Sequence, residues 1–331
     1  MKTHWRAIGL LAIATTTLVP MASAAAASPS PAIAASCFKV TATIHVAPSP
    51  DGVAVNPATN TIYVTNGNQN TVSVINGQTN KITATFPGGG SPDAAAVNPR
   101  TDTVYVTNVP GGTVSVINGQ TNKITATVTV GHDPAGIAVN PVTGRIYVVD
   151  GEANTVSVIS GRTNKVIATV PVGNSPQGVA VNPATGTIYA TNVFGNDVSV
   201  VDGRTNKVTA TVKLGGEPLR AAADPKTDTI YVTNPNTVQV IDGQTNKVTA
   251  TVSVGETPAG VAVDQNIGKV FAVNANSDSV SLINVGTNKV SATIGVGSQP
   301  LVVAVNPQTH AVYVESHASG TLSVLTRHCP A

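Results

Sequence analysis

A triplet that returns every 42 residues limits this chain more than any other feature. Val-Asn-Pro stands at 55–57, 97–99, 139–141, 181–183 and 305–307, with Ala-Asp-Pro at 223–225 and Val-Asp-Gln at 263–265 in the same register; one step alone, from 223 to 263, is 40 residues. An aromatic keeps the same beat: Tyr63, Tyr105, Tyr147, Tyr189, Tyr231, Phe271 and Tyr313. All six tyrosines of the chain fall in that column. Self-similarity at a fixed period means a supersecondary unit that buries its apolar face by stacking on its neighbours. The two-residue deletion falls at Asn234-Pro235-Asn236, in a connection, so the count is seven units.

Within a unit the apolar runs are short and rich in Val, Ile, Thr and Tyr, which is strand composition. In the first unit they predict strand A near 52–56, B near 61–66, C near 71–76 and D near 81–86. Pro57-Ala58-Thr59-Asn60 separates A from B, and Gly67-Asn68-Gln69-Asn70 separates B from C. Asn76-Gly77 opens the C–D connection and predicts a hairpin turn, because both residue types accept positive φ. Four strands per repeat of this length predict an all-β fold, a seven-bladed β-propeller with four antiparallel strands per blade.

The ends account for each other. Lys39-Val40-Thr41-Ala42-Thr43-Ile44 matches the D-strand sequence Lys81-Ile82-Thr83-Ala84-Thr85 but has no A, B or C strand before it. The last unit stops after Thr321-Leu322-Ser323-Val324, before a D strand of its own. The N-terminal strand is therefore expected to complete blade seven and pair an edge that a linear array would leave open. Cys37 and Cys329, the only cysteines, both align with Thr79 in the C–D turn. A disulfide between them would staple the one hairpin that lacks a covalent turn, contributing about 4–5 kcal/mol by loop entropy. The alternative is lipidation of Cys37, since Ala35-Ser36-Cys37 loosely resembles the end of a lipobox, although Cys37 lies well beyond the apolar run.

Lys2, His4 and Arg6 precede an apolar run from Ala7 to about Leu18 and then Ala22-Ser23-Ala24. That is the order of a cleaved secretory signal, too short to span a bilayer. The expected organisation is a signal peptide over 1–24, an Ala/Ser/Pro-rich tail over 25–36 with no reason to fold, and one propeller domain over 37–331. The chain carries 18 Lys and Arg against 16 Asp and Glu. Loss of Lys2 and Arg6 would leave a secreted protein of no net charge, so overall charge does not argue for nucleic acid.

Tyr63-Val64-Thr65-Asn66, Tyr105-Val106-Thr107-Asn108 and Tyr231-Val232-Thr233-Asn234, with the near copy Tyr189-Ala190-Thr191-Asn192, resemble the signature of the YVTN repeat family. Blades three, six and seven depart as Tyr147-Val148-Val149-Asp150, Phe271-Ala272-Val273-Asn274 and Tyr313-Val314-Glu315-Ser316. The resemblance spans 38 to about 328. It implies an exported bacterial or archaeal surface-layer protein with a recognition role, and it carries no catalytic residue onto this chain.

Residues copied in every blade solve a common packing problem, so the breaks in the pattern are the candidates for function. One face of a propeller carries the D–A and B–C connections, the other the A–B and C–D turns, and ligands commonly gather at the channel mouth on the first. There the chain varies as Asp51, Asp93, His132 with Asp133, Glu217 with Arg220, and Glu256; the B–C loops add Asp150, Glu152, Asp197, Asp278, Glu315 and His317. These ten acids meet two bases, Lys213 and Arg220, whereas the opposite face holds six acids and fourteen Lys or Arg. The latter include the column Lys39, Lys81, Lys123, Lys165, Lys207, Lys247 and Lys289.

The favoured function is non-catalytic recognition of an extracellular or cell-surface protein or polymer through these loop faces. Asp51, Asp93, Asp150, Glu152, Glu217, Arg220 and Glu256 are the candidate ligand-binding residues. An alternative is a hydrolase or lyase of lactonase type using His132, Asp133, Glu315 and His317 as acid–base groups. The absence of H-E-x-x-H, G-x-S-x-G and P-loop spacings weighs against an enzyme. A third possibility is an anionic polymer on the lysine column. Single-stranded nucleic acid is disfavoured there, because once the signal with Trp5 is removed only Phe38, Phe86 and Phe194 remain outside the aromatic column for stacking. No cofactor is expected; the acidic mouth has the donor chemistry of a calcium site but no ordered ligand spacing. A monomer is compatible with all of this.

Overall fold

The computed structural model describes residues 37–328, so the expected signal segment, the tail over 25–36 and Cys329 lie outside the described residues. Seven antiparallel sheets of four strands are arranged as a ring, with strand order A-B-C-D in blades one to six. In blade one the strands run Gly52–Asn56, Thr61–Asn66, Thr71–Asn76 and Lys81–Pro87. Strand A of each blade packs on strand A of both neighbours, and Gly52–Asn56 meets Pro300–Val305 to close the circle. Among the described residues the remaining regular structure is two single 3-10 turns, Gly67–Gln69 and Ala275–Ser277.

Blade seven is built as expected, with Phe38–His45 pairing antiparallel to Thr321–Arg327. The His328 N–H donates to the Cys37 carbonyl at 2.6 Å, so the chain ends meet where the other blades have a covalent turn. Strands B and C carry the core. Every member of the aromatic column is at most 1% exposed, and each packs beside branched aliphatic side chains of the neighbouring blade. The D strands show mostly exposed side chains and form the rim.

The C–D turn differs from the expected one. Neither Asn76 nor Gly77 takes positive φ; Asn80 does, at 56°, as do its copies from Asn122 to Asn288. The turn is longer, closed by Asn80 N–H to the Asn76 carbonyl at 2.8 Å, while Asn76 Oδ1 accepts from Gln78 and Thr79 N–H. Glycine is needed at 77 for closeness rather than for φ, because its N–H bonds the Asn60 carbonyl at 2.8 Å and a Cβ would strike that residue.

Each D strand also carries a one-residue bulge, at Thr83 in blade one. Its hydroxyl donates back to the Val74 carbonyl at 3.3 Å, and Thr125, Thr209, Thr249, Ser291 and Thr41 repeat the bond in their blades. Bulges and lysines on an outer strand both discourage pairing with another sheet.

Candidate functional site at the channel mouth

The residue after each leading proline reads, round the ring, Asp51, Asp93, Ala135, Gln177, Leu219, Ala259 and Leu301; all but Ala135, which is buried in the core, line the channel mouth. The following positions are mostly small (Gly52, Ala94, Gly136, Gly178, Gly260), since a Cβ on these glycines would meet the neighbouring strand A backbone. Arg220 and Val302 are the large exceptions. The mouth thus encloses about 170 Å³ between a polar arc of Asp51, Asp93, Gln177 and Arg220 and an apolar arc of Leu219, Ala259 and Leu301. A second space of about 110 Å³ adjoins it, and Asp51 and Arg220 line both.

A threonine column orients these groups. Thr65, Thr107, Thr191 and Thr233 donate their hydroxyls to strand A carbonyls of the next blade: Asp93, Ala135, Leu219 and Ala259. Three of them also accept a strand A N–H of their own blade, from Ala94, Gly178 and Arg220 at 2.8–3.0 Å. Blade three has Val149 here, and the carbonyl it would have served, Gln177, is taken instead by the Arg220 guanidinium at 2.6 Å. Arg220 is thereby held at the channel with no carboxylate of the described residues within ion-pair distance.

Blade seven has Glu315 in the threonine position. Its side chain is fully buried, and neither carboxyl oxygen closes a hydrogen bond. Burial pushes its acid up to about 9; Asp51 and Asp93 add to the rise, while the nearby Val302 and Leu301 amides oppose it. Asp93 is pushed up to about 6, mainly by burial, with the Arg220 charge pulling down and Asp51 and Asp133 pushing up. Asp51 is also raised, by burial first; its Oδ2 accepts the Gly67 N–H at 2.7 Å, and its Oδ1 lies 3.8 Å from His317 Nδ1. Near neutral pH Glu315 is therefore protonated and buried behind a mouth that carries the Asp51 and Asp93 carboxyls and one guanidinium.

The other candidates are scattered. Asp150 is fully buried and engaged by Gly131 N–H and the Thr155 and Ser157 hydroxyls at 2.8–3.0 Å, occupying the place of the column asparagines. Glu152, Glu217, Glu256 and His132 are exposed on separate loops. Asp197 pairs with Lys213 at 2.6 Å. His317 bonds the Pro50 carbonyl at 2.8 Å rather than Glu315. The lysines stand exposed near the start of each D strand, one per blade around the rim. Among the described residues no group of three or more His, Cys, Asp or Glu is placed to hold a metal ion. No helix there is long and apolar enough to cross a membrane. Gln177, Leu219 and Leu301 were missed by sequence reasoning that followed charge, although they share the post-proline position of Asp51 and Asp93.

No family model matches the chain, and no curated protein matches it. Among solved structures, hydrazine synthase of Kuenenia stuttgartiensis is similar at 19% identity and a TM-score of 0.78, covering 86% of this chain and 97% of that one. Similarity at that identity concerns the fold: the chain is a seven-bladed β-propeller.

Proposed function

We propose that this chain is an exported recognition scaffold of YVTN type that grips an extracellular or cell-surface partner at the channel mouth. The two-sided mouth carries this reading. Asp51 and Asp93 offer a cationic group two carboxylates, while Leu219, Ala259 and Leu301 offer its aliphatic stem an apolar wall. A lysine side chain or an amino terminus flanked by apolar residues matches that pattern. The scaffold is rigid because each blade is bonded to the next, and the expected Cys37–Cys329 disulfide would lock the closure.

The test is calorimetric titration of the purified full chain with lysine-bearing and acetyl-lysine-bearing peptides. Binding that needs the free amine, weakens as pH falls below about 6 and is lost in Asp93→Asn supports the reading. Equal binding of both peptides overturns it. A second reading, a channel-mouth hydrolase, is favoured by Asp93 alone, whose carboxyl, pushed up to about 6, suits proton transfer near neutral pH. Turnover of a lactone panel, abolished by Asp93→Asn with binding of the peptides unaffected, would place the protein there instead.

A further inference from the structure

The A–B/C–D face carries a second irregularity, independent of the mouth. The Asn of each Val-Asn-Pro triplet points at the residue of the next blade's A–B turn that takes positive φ. Asn56 donates to Asp102 at 2.7 Å, Asn182 to Asp228 at 2.6 Å and Asn306 to Asn60 at 2.8 Å. At the six–seven junction the pair is Asp264 and His310, at 2.8 Å. At three junctions the facing residue is glycine: Gly144, Gly186 and Gly268. There the latch is missing.

Between blades three and four a groove of about 680 Å³ lies at the unlatched position. Asn140, 1% exposed, has its Oδ1 bonded to Val142 and Thr143 N–H, while its amide, facing Gly186, donates to no acceptor among the described residues. Two further breaks in the repeat line the same groove. Arg145 replaces the threonine that opens strand B in blades one, two, four and five, and reaches across to the Gly203 carbonyl. Arg204 replaces the glutamine found at Gln78, Gln120 and Gln244 and is exposed. Thr185 and Thr187 add hydroxyls. The one acid in the wall, Asp202, is already engaged through Oδ1 by Arg204 and Thr205 N–H at 2.7 and 3.0 Å.

We propose that this groove binds a carboxylate-bearing sugar of an acidic polysaccharide. Planar guanidinium groups recognise a carboxylate through paired N–H donors. The Asn140 amide and the threonine hydroxyls suit sugar hydroxyls, and the volume falls within the range of small-ligand sites, roughly 300–1,000 Å³. Lys165 and Lys207 stand on the rim of the same two blades, where a longer anionic chain would run.

Gly186→Asp tests the idea, because it installs the acid that blades two and five already use as a latch. Nothing lies within 4 Å of the added Cβ, and aspartate holds comparable positive φ at 102 and 228. The probe is trigalacturonate, titrated calorimetrically into the full chain, with its methyl ester and polyphosphate as competitors for the source of the charge. The parent is expected to bind trigalacturonate and not the ester. Gly186→Asp and Arg204→Gln are each expected to weaken it at least about tenfold without lowering the melting temperature, while Gly144→Asp, the same change one junction away, leaves it intact. Equal affinity in all variants, equal binding of the ester, or stronger binding of polyphosphate would overturn the proposal. Failure here leaves the channel-mouth reading untouched, since the two sites open on opposite faces.

Discussion

His310 of blade seven sets its Nδ1 2.8 Å from Oδ2 of Asp264, a fully buried carboxylate in blade six. Both residues depart from the repeat: three blades bridge a neighbour with asparagine at the first position, and only this junction has an acid facing a histidine. The junction adjoins the blade assembled from the two ends of the chain. Among the described residues, His310→Ala leaves the Asp264 side chain bonded to the Asn266 backbone N–H alone. We expect a loss of roughly 1–3 kcal/mol in urea unfolding, the usual cost of stranding a buried polar group. Asp264→Asn should recover most of it in the His310→Ala background, because it removes the buried charge.

The aromatic column breaks at the same junction. Phe271 meets Phe38 edge to face, with ring centroids 5.3 Å apart. In the first three blades the tyrosine hydroxyl approaches the C–D turn of the next blade, Tyr63 at the Gly119 carbonyl, Tyr105 beside Gly161 and Tyr147 beside Gly203. Blade seven has no continuous C–D turn, and Phe38 fills the space. The consensus change Phe271→Tyr is therefore expected to destabilise, by roughly 1–3 kcal/mol, through burying a hydroxyl against a ring. A gain in melting temperature would contradict this.

Blade three lacks the bulge hydroxyl. Ile167 stands where the other blades have Thr or Ser, is 48% exposed, and leaves the Val158 carbonyl without the bond that Thr83 gives Val74. Ile167→Thr should raise stability by about 0.5–1.5 kcal/mol, the net worth of one hydrogen bond, measured as a shift of the denaturant midpoint at constant slope.

Glu315 makes stability depend on pH. Its folded acid strength corresponds to about 9 against 4.5 for a free glutamate, so across that interval the native state holds a proton that the unfolded state has released. A raised carboxyl pKa gives stability that is full at low pH and declines as pH rises through the interval. Glu315→Gln cannot ionise and should flatten the melting curve between about pH 5 and pH 9, with the largest gain over the parent at the alkaline end. Parallel curves for the two proteins would show that the carboxyl does not titrate in the fold.

Most of the architecture was legible because periodicity and strand composition are local. Blade one's strands lie where Val, Thr and Tyr alternate between Pro-, Gly- and Asn-rich connections, differing from the expected bounds only at the end of strand D. The split blade followed from a D-strand sequence with no partner. The C–D turn was misread because two residues, Asn76 and Asn80, were both eligible for the left-handed conformation. Which one takes it depends on Gly77 reaching the A–B turn, a contact between segments 17 residues apart.

By itself the sequence determined the number of blades, the strand order and the closing pair, since each is a property of residues adjacent in the chain or repeated along it. Only the tertiary structure decided which side chains share a site. Asp51, Asp93, Gln177, Arg220 and Leu301 belong to five blades and converge because the ring brings their inner strands to one axis. Glu315 looked like one more polar loop residue; it is buried because blade seven presses it against blade one. The groove likewise exists only where Asn140 of one blade faces Gly186 of the next. Those relations depend on how blades meet, and no single repeat contains them.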